Sequence, residues 1–235
     1  MDTTRKQARV AGLLYFLAGI PAPFALLFVP RSLIVPGDAA ATANRIRTSE
    51  SLLRAGMAAE LLSTILFLFV VLALYRLFKG VNQTQASWMV ALFLVSIPVS
   101  LLNLVNDIAA LILASGPDFL SVFEKRQLDA LAYLFLRLHG QGVVVAQIFW
   151  GLWLFPFGIL VIRSGFIPRI LGVLLFLAGS GYVAASTASL LLPRFARVTS
   201  QISMILGFGE LAIILWLLIW GAKPRSSGEQ ALSAG

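Results

Sequence analysis

Three of the chain's ten acids, Glu60, Asp107 and Glu210, stand in runs that are otherwise apolar, and these are the residues that could do chemistry. An ionised carboxylate inside a bilayer costs a few kcal/mol on insertion scales, so it must face a partner, a cavity or water. Glu210 is thirteen residues from both Arg197 and Lys223, about 20 Å of helix from either, which sets it at the midplane of its run. Ser203, Gly207 and Glu210 share one helical face at i, i+4 and i+7, a small polar groove directed at other helices. Glu60 has Ser63 and Thr64 on its face, and Asn103, Asn106 and Asp107 stack as a polar stripe at i, i+3 and i+4. Arg137, His139 and Gln141 precede the next apolar run; Arg137 and Gln141 share a face, and His139 projects elsewhere.

Read functionally, Glu60, Asn103, Asn106, Asp107 and Glu210 line a polar intramembrane pocket with Arg137 and His139 at its mouth. Read structurally, the same groups are interhelical hydrogen bonds of about 1 kcal/mol or less each. The structural reading weighs more for the Asn and Ser residues, the functional one for Glu210 and Asp107, since a buried acid is a costly way to hold helices together. His139 is the single histidine and reads as an interfacial residue rather than a metal ligand; alone it supplies neither a haem-ligating pair nor an HExxH zinc site. With no cysteine there is no disulfide, thiolate or cysteine-ligated metal. No phosphate loop, hydrolase triad or paired intramembrane aspartates appear, so no catalytic residue, metal or cofactor is assigned. The reading favoured is a small-molecule binding or transport protein. An intramembrane enzyme acting on a lipid or quinone-like substrate, with Asp107 or Glu210 as acid/base, and a membrane scaffold without substrate both stay open.

What must position these residues is a membrane bundle. The 235-residue chain is 59% hydrophobic and 12% charged, where soluble domains carry about a quarter charged residues. Apolar runs of about twenty residues match a hydrocarbon core of about 30 Å. The +8 net charge sits at helix ends and loops, where it meets anionic headgroups rather than nucleic acid. The expected fold is an all-α integral membrane bundle of six transmembrane helices in a single domain, residues 1–222, with a disordered tail at 223–235. The spans run near 9–29, 52–78, 88–114, 143–162, 170–192 and 198–220. Pro21 and Pro23 should kink or unwind the first, and Asp38 should cap a short helix after the Pro36–Gly37 turn. Apolar sequence from 129 to 162 would make one helix of roughly 50 Å, so a break or interfacial helix is expected before Gly140-Gln141-Gly142. Gly181, Ala185 and Ser189 form a small-residue ridge for close packing.

The stretch Arg9–Gly19 returns at Arg169–Gly179 with seven of eleven positions identical, which points to a parallel repeat relating helices 1–2 to helices 5–6. The segments Ala-Gly-Leu-Leu-Tyr-Phe-Leu (11–17) and Ser-Leu-Ile-Val-Pro-Gly-Asp-Ala-Ala-Ala-Thr-Ala-Asn-Arg-Ile (32–46) resemble the bacterial membrane family catalogued as domain of unknown function 4386. That resemblance implies a multi-pass membrane protein and no activity. Lysines and arginines divide evenly between the two sides, but Arg5, Lys6 and Arg9 precede the first helix and weigh most. The expected location is the inner (cell) membrane with both termini cytoplasmic. The bilayer is the expected partner, beside a small-molecule or lipid ligand; the oligomeric state is not legible.

Overall fold

A computed structural model describes residues 3–222, so the expected disordered tail, 223–235, lies outside the described residues. Six helices in it are long and apolar enough to cross a membrane: α1 (Thr3–Leu33), α3 (Glu50–Phe78), α4 (Gln83–Ser115), α5 (Lys125–Ser164), α6 (Arg169–Leu191) and α7 (Pro193–Ile219). A short helix, α2 (Ala39–Thr48), joins the first two. Among the described residues there is no strand. The chain is a membrane-spanning all-α protein.

The local signals in the sequence act where expected. Pro21 and Pro23 lack N–H groups, and α1 loses its regular ladder at Ile20 before continuing through a π turn at Phe24–Phe28. Gly37 takes a positive φ of 79°, and the Asp38 carboxylate accepts from the Ala41 N–H at 2.8 Å, starting α2.

The break expected before Gly140 is absent. The helix runs unbroken from Lys125 to Leu152 and is interrupted only by a turn at Trp153. Pro156 accounts for that position, because it offers no N–H to the carbonyl of Leu152. At 40 residues α5 is about 60 Å long, and its polar first turns lengthen it beyond what a hydrocarbon core requires.

The chain divides into two compact units. One holds residues up to Leu17, Leu66–Ser96 and those from Gln147. Its centre is aromatic: Trp153, fully buried, packs against Phe93, Phe157 and Tyr15 with ring centroids 5.2–6.0 Å apart. Here α1 meets α7 through Arg9, whose guanidinium donates to the Ile219 carbonyl at 3.0 Å, and through Gly12, which lies against the backbone of Leu217 and Leu218. Next along α1, the Tyr15 hydroxyl donates to Glu210 at 2.5 Å. Partners that fall along α7 as they rise along α1 mean antiparallel helices. Gly209 against Leu174 and Gly181 against Ser203 make α6 and α7 antiparallel too. Helices α1 and α6, which carry the two similar segments, therefore run in the same direction.

The other unit comprises Ala18–Ile65 and Ile97–Ala146. Val29, Leu33, Ile46, Leu53, Leu111 and Leu136 form its apolar core. Asp129 lies in the second turn of α5 and is only 3% exposed. It pairs with Arg47 at 2.8 Å and Lys125 at 2.7 Å, and so ties α2 to α5.

Candidate functional site

The second unit contains a cavity of about 200 Å³. Ala25, Val29, Leu33, Leu53, Leu136 and Val143 supply apolar walls, and Glu60, Asp107 and His139 supply the polar end. The π turn matters to this shape, since Ala25 comes from it and Val29 follows it directly. A proline-disrupted stretch of α1 thus becomes a cavity wall, a common use of π turns.

Each polar residue comes from a different helix: Glu60 from α3, Asp107 from α4 and His139 from α5. All three are buried, and one donor atom from each lies within 4.8 Å of the others. His139 Nε2 is 3.4 Å from Glu60 Oε2, and Nδ1 is 3.2 Å from Asp107 Oδ1. Nδ1 is buried yet makes no aligned hydrogen bond, so its nearness to Asp107 is a contact of charge and dipole rather than a satisfied bond. The other ion pairs of this unit lie elsewhere: Arg47 and Lys125 on Asp129, and Arg54 on Glu50.

Asn103 fixes the histidine's position. Its amide donates to the His139 carbonyl at 2.9 Å, while its own oxygen accepts from Asn106 at 2.9 Å. Gly142, one turn of α5 beyond, makes this possible, because a Cβ built there would overlap the Asn103 amide. The glycine that reads as a helix break in the sequence is instead the space into which Asn103 fits. Two helical glycines cost only about 1 kcal/mol each relative to alanine, which the packing of a long helix readily overrides.

The structure therefore brings together Glu60, Asp107 and His139, with Asn103 and Asn106 behind them. His139 is buried between Glu60 and Asp107, at the centre of the group. Arg137 is exposed and does not line the cavity. Glu210 belongs to the first unit, where it takes the Tyr15 hydroxyl and has Tyr182 beside it. The groove expected at Ser203, Gly207 and Glu210 receives that second tyrosine: a Cβ on Gly207 would lie 3.1 Å from the Tyr182 oxygen. Chemically, two carboxylates and an imidazole at this spacing can hold a cation, bind a hydrogen-bonding ligand or pass a proton among themselves.

A profile of the family described as Domain of unknown function (DUF4386) matches residues 10–221. The chain belongs to this family. The match carries the resemblance read at 11–17 and 32–46 across nearly the full length. A relative from Archaeoglobus fulgidus, described as an uncharacterized protein, is 39% identical over 79 residues. Those residues are 34% of this chain and 46% of the relative, so the chain spans about half the length of the relative it matches. No solved structure matches. DUF4386 membership fixes a family and leaves the activity to be argued from the site.

Proposed function

We propose that this protein binds, and carries or senses, a small molecule in the cavity ended by Glu60, Asp107 and His139. The observation that carries the reading is the cavity itself: three buried polar residues from three helices converge at one end of an apolar-walled space. Interhelical hydrogen bonds are made by direct, aligned contacts, and His139 Nδ1 makes none. At about 200 Å³ the space falls below the ~300–1,000 Å³ of drug-sized sites, which favours a small ligand, polar or charged at one end and apolar at the other.

Filling the cavity without touching its polar groups tests this. Val143→Phe adds a ring to a half-buried wall residue. Native mass spectrometry on gently extracted protein should find a co-purifying small species on the wild type and lose it on Val143→Phe and on Asp107→Asn. If the wild type carries nothing and the variants change nothing, the scaffold reading replaces this one.

We also propose that the protein lies in the inner (cell) membrane with both termini on the cytoplasmic side, on the strength of Arg5, Lys6 and Arg9 ahead of the first helix. The chain has no cysteine, so single cysteines at Ser32 and Ser227 report cleanly. In intact cells an impermeant thiol reagent should label Ser32→Cys and spare Ser227→Cys; the reverse pattern inverts the orientation.

A further inference from the structure

We propose that Glu60, Asp107 and His139 bind one divalent transition-metal ion of the zinc class, through one ring nitrogen and one oxygen of each carboxylate. This rests on reading the cavity as a binding site and names what occupies its polar end.

The spacing of the three donor groups fits the ligands of one ion. A tetrahedral ion with bonds of about 2.0–2.2 Å separates its ligand atoms by about 3.4 Å. His139 Nδ1 and Asp107 Oδ1 stand 3.2 Å apart, and one donor atom from each of the three residues lies within 4.8 Å of the others. A second observation is independent of the spacing. His139 is more than nine-tenths buried, yet its Nδ1 has no aligned hydrogen-bond partner. A buried polar atom left in that state costs about 1–3 kcal/mol. An ion ligated by Nδ1 would give that atom its partner, with Asp107 as a neighbouring ligand.

Charge selects the valence. Among the described residues the ion pairs of Arg47, Arg54 and Lys125 go to Asp129 and Glu50, leaving Glu60 and Asp107 only the His139 imidazole. A dication with two carboxylates and one imidazole sums to zero, whereas a monovalent ion leaves a buried negative charge. Donor type selects the ion. Magnesium and calcium favour all-oxygen shells, and copper(I) favours sulfur; one imidazole with two carboxylates suits zinc, iron(II) or manganese. Three protein ligands leave a fourth position, which would open onto the apolar-walled cavity and admit a small coordinating molecule. Asn103 and Gly142 hold the histidine's helix at the required approach, so the ligands are braced before an ion arrives.

The test uses the full chain without a histidine tag, reconstituted in lipid nanodiscs, stripped with chelator and titrated calorimetrically with zinc alone. One zinc per chain should bind, and magnesium at the same concentration should not compete. Glu60→Gln, Asp107→Asn and His139→Gln should each weaken zinc binding by at least ~100-fold, more than the 10–100-fold typical of outer-shell changes. Glu210→Gln, in the other unit, should leave it unchanged. Thermal melts identify any variant that fails to fold, and the wild-type stoichiometry decides independently of the variants. No zinc on the wild type, or zinc retained at full affinity in folded Glu60→Gln and Asp107→Asn, overturns the proposal. If a small organic species still co-purifies and is lost in Val143→Phe, the metal is wrong and the binding reading stands; if neither is found, both fall.

Discussion

Valine at Gly179 should destabilise the bundle by about 3 kcal/mol or more, and alanine there by about 2 kcal/mol, read as a fall in the detergent-unfolding midpoint. Helices α5 and α6 approach through two glycine pairs. A Cβ on Gly151 would lie 2.7 Å from the Gly179 carbonyl oxygen, and a Cβ on Gly179 would lie 2.7 Å from that of Gly151. One heptad away, Gly158 and Gly172 repeat the arrangement at 2.9 and 2.7 Å. The obstacle is backbone in every case, so no rotamer change relieves it. Association in lipid depends on this kind of close packing, since lipid tails compete equally for apolar surface. Gly151→Ala combined with Gly179→Ala should cost less than the sum of the single changes, because both collide in one gap and a single parting of the helices serves both. Gly19→Ala is the control: its Cβ meets nothing within 4 Å and should be nearly silent. If Gly179→Val melts with the wild type, the helices are not in backbone contact at that point.

These glycines show what kind of information the sequence withholds. Spacing by seven at 151 and 158, and again at 172 and 179, is visible on the page, but which glycine meets which is a tertiary fact. The small-residue ridge read from the sequence, Gly181, Ala185 and Ser189, marks a face of α6, where Gly181 is pressed against Ser203 and Leu206 and Ala185 is buried. Features caused by a single residue's covalent chemistry were legible: the irregular turn after Pro21 and Pro23, and the cap at Asp38. Length arithmetic misled at Gly140-Gln141-Gly142, since a helix longer than the bilayer need not break when its first turns are polar. Each member of the Glu60–Asp107–His139 group was readable as an unusual residue. Their convergence was not, because Glu60 and His139 are joined by nothing local, and a histidine beside an exposed arginine reads as interfacial. Glu210 was legible as an acid needing a partner; periodicity does not show that a tyrosine 195 positions earlier is that partner.

Asp129 should be the second position where one change weakens the fold severely: Asp129→Ala is expected to cost about 3 kcal/mol, with the loss centred on the second unit. Its side chain is only 4% exposed and holds two cations, but they are unequal. Lys125 is 74% exposed and one turn away on the same helix, so its contact is worth well under ~1 kcal/mol and is screened by salt. Arg47 is 29% exposed and also donates to the Ala114 carbonyl at 3.3 Å, which joins α2, α4 and α5 at one point. Removing the carboxylate strands Arg47 between a carbonyl and an apolar core, and removing Arg47 leaves a buried carboxylate with a flexible lysine. The expected order is therefore Asp129→Ala and Arg47→Ala severe, Lys125→Ala slight. The double variant lacking both Asp129 and Arg47 should be less damaged than the two single losses added, because neither charge is then left unpaired. Raising salt should lower the wild-type unfolding midpoint only modestly, since the carboxylate of the pair that matters is buried. Equal damage from Lys125→Ala and Arg47→Ala would show that the carboxylate acts at the surface, and that α2 is held by its buried residues Thr42, Ala43 and Ile46.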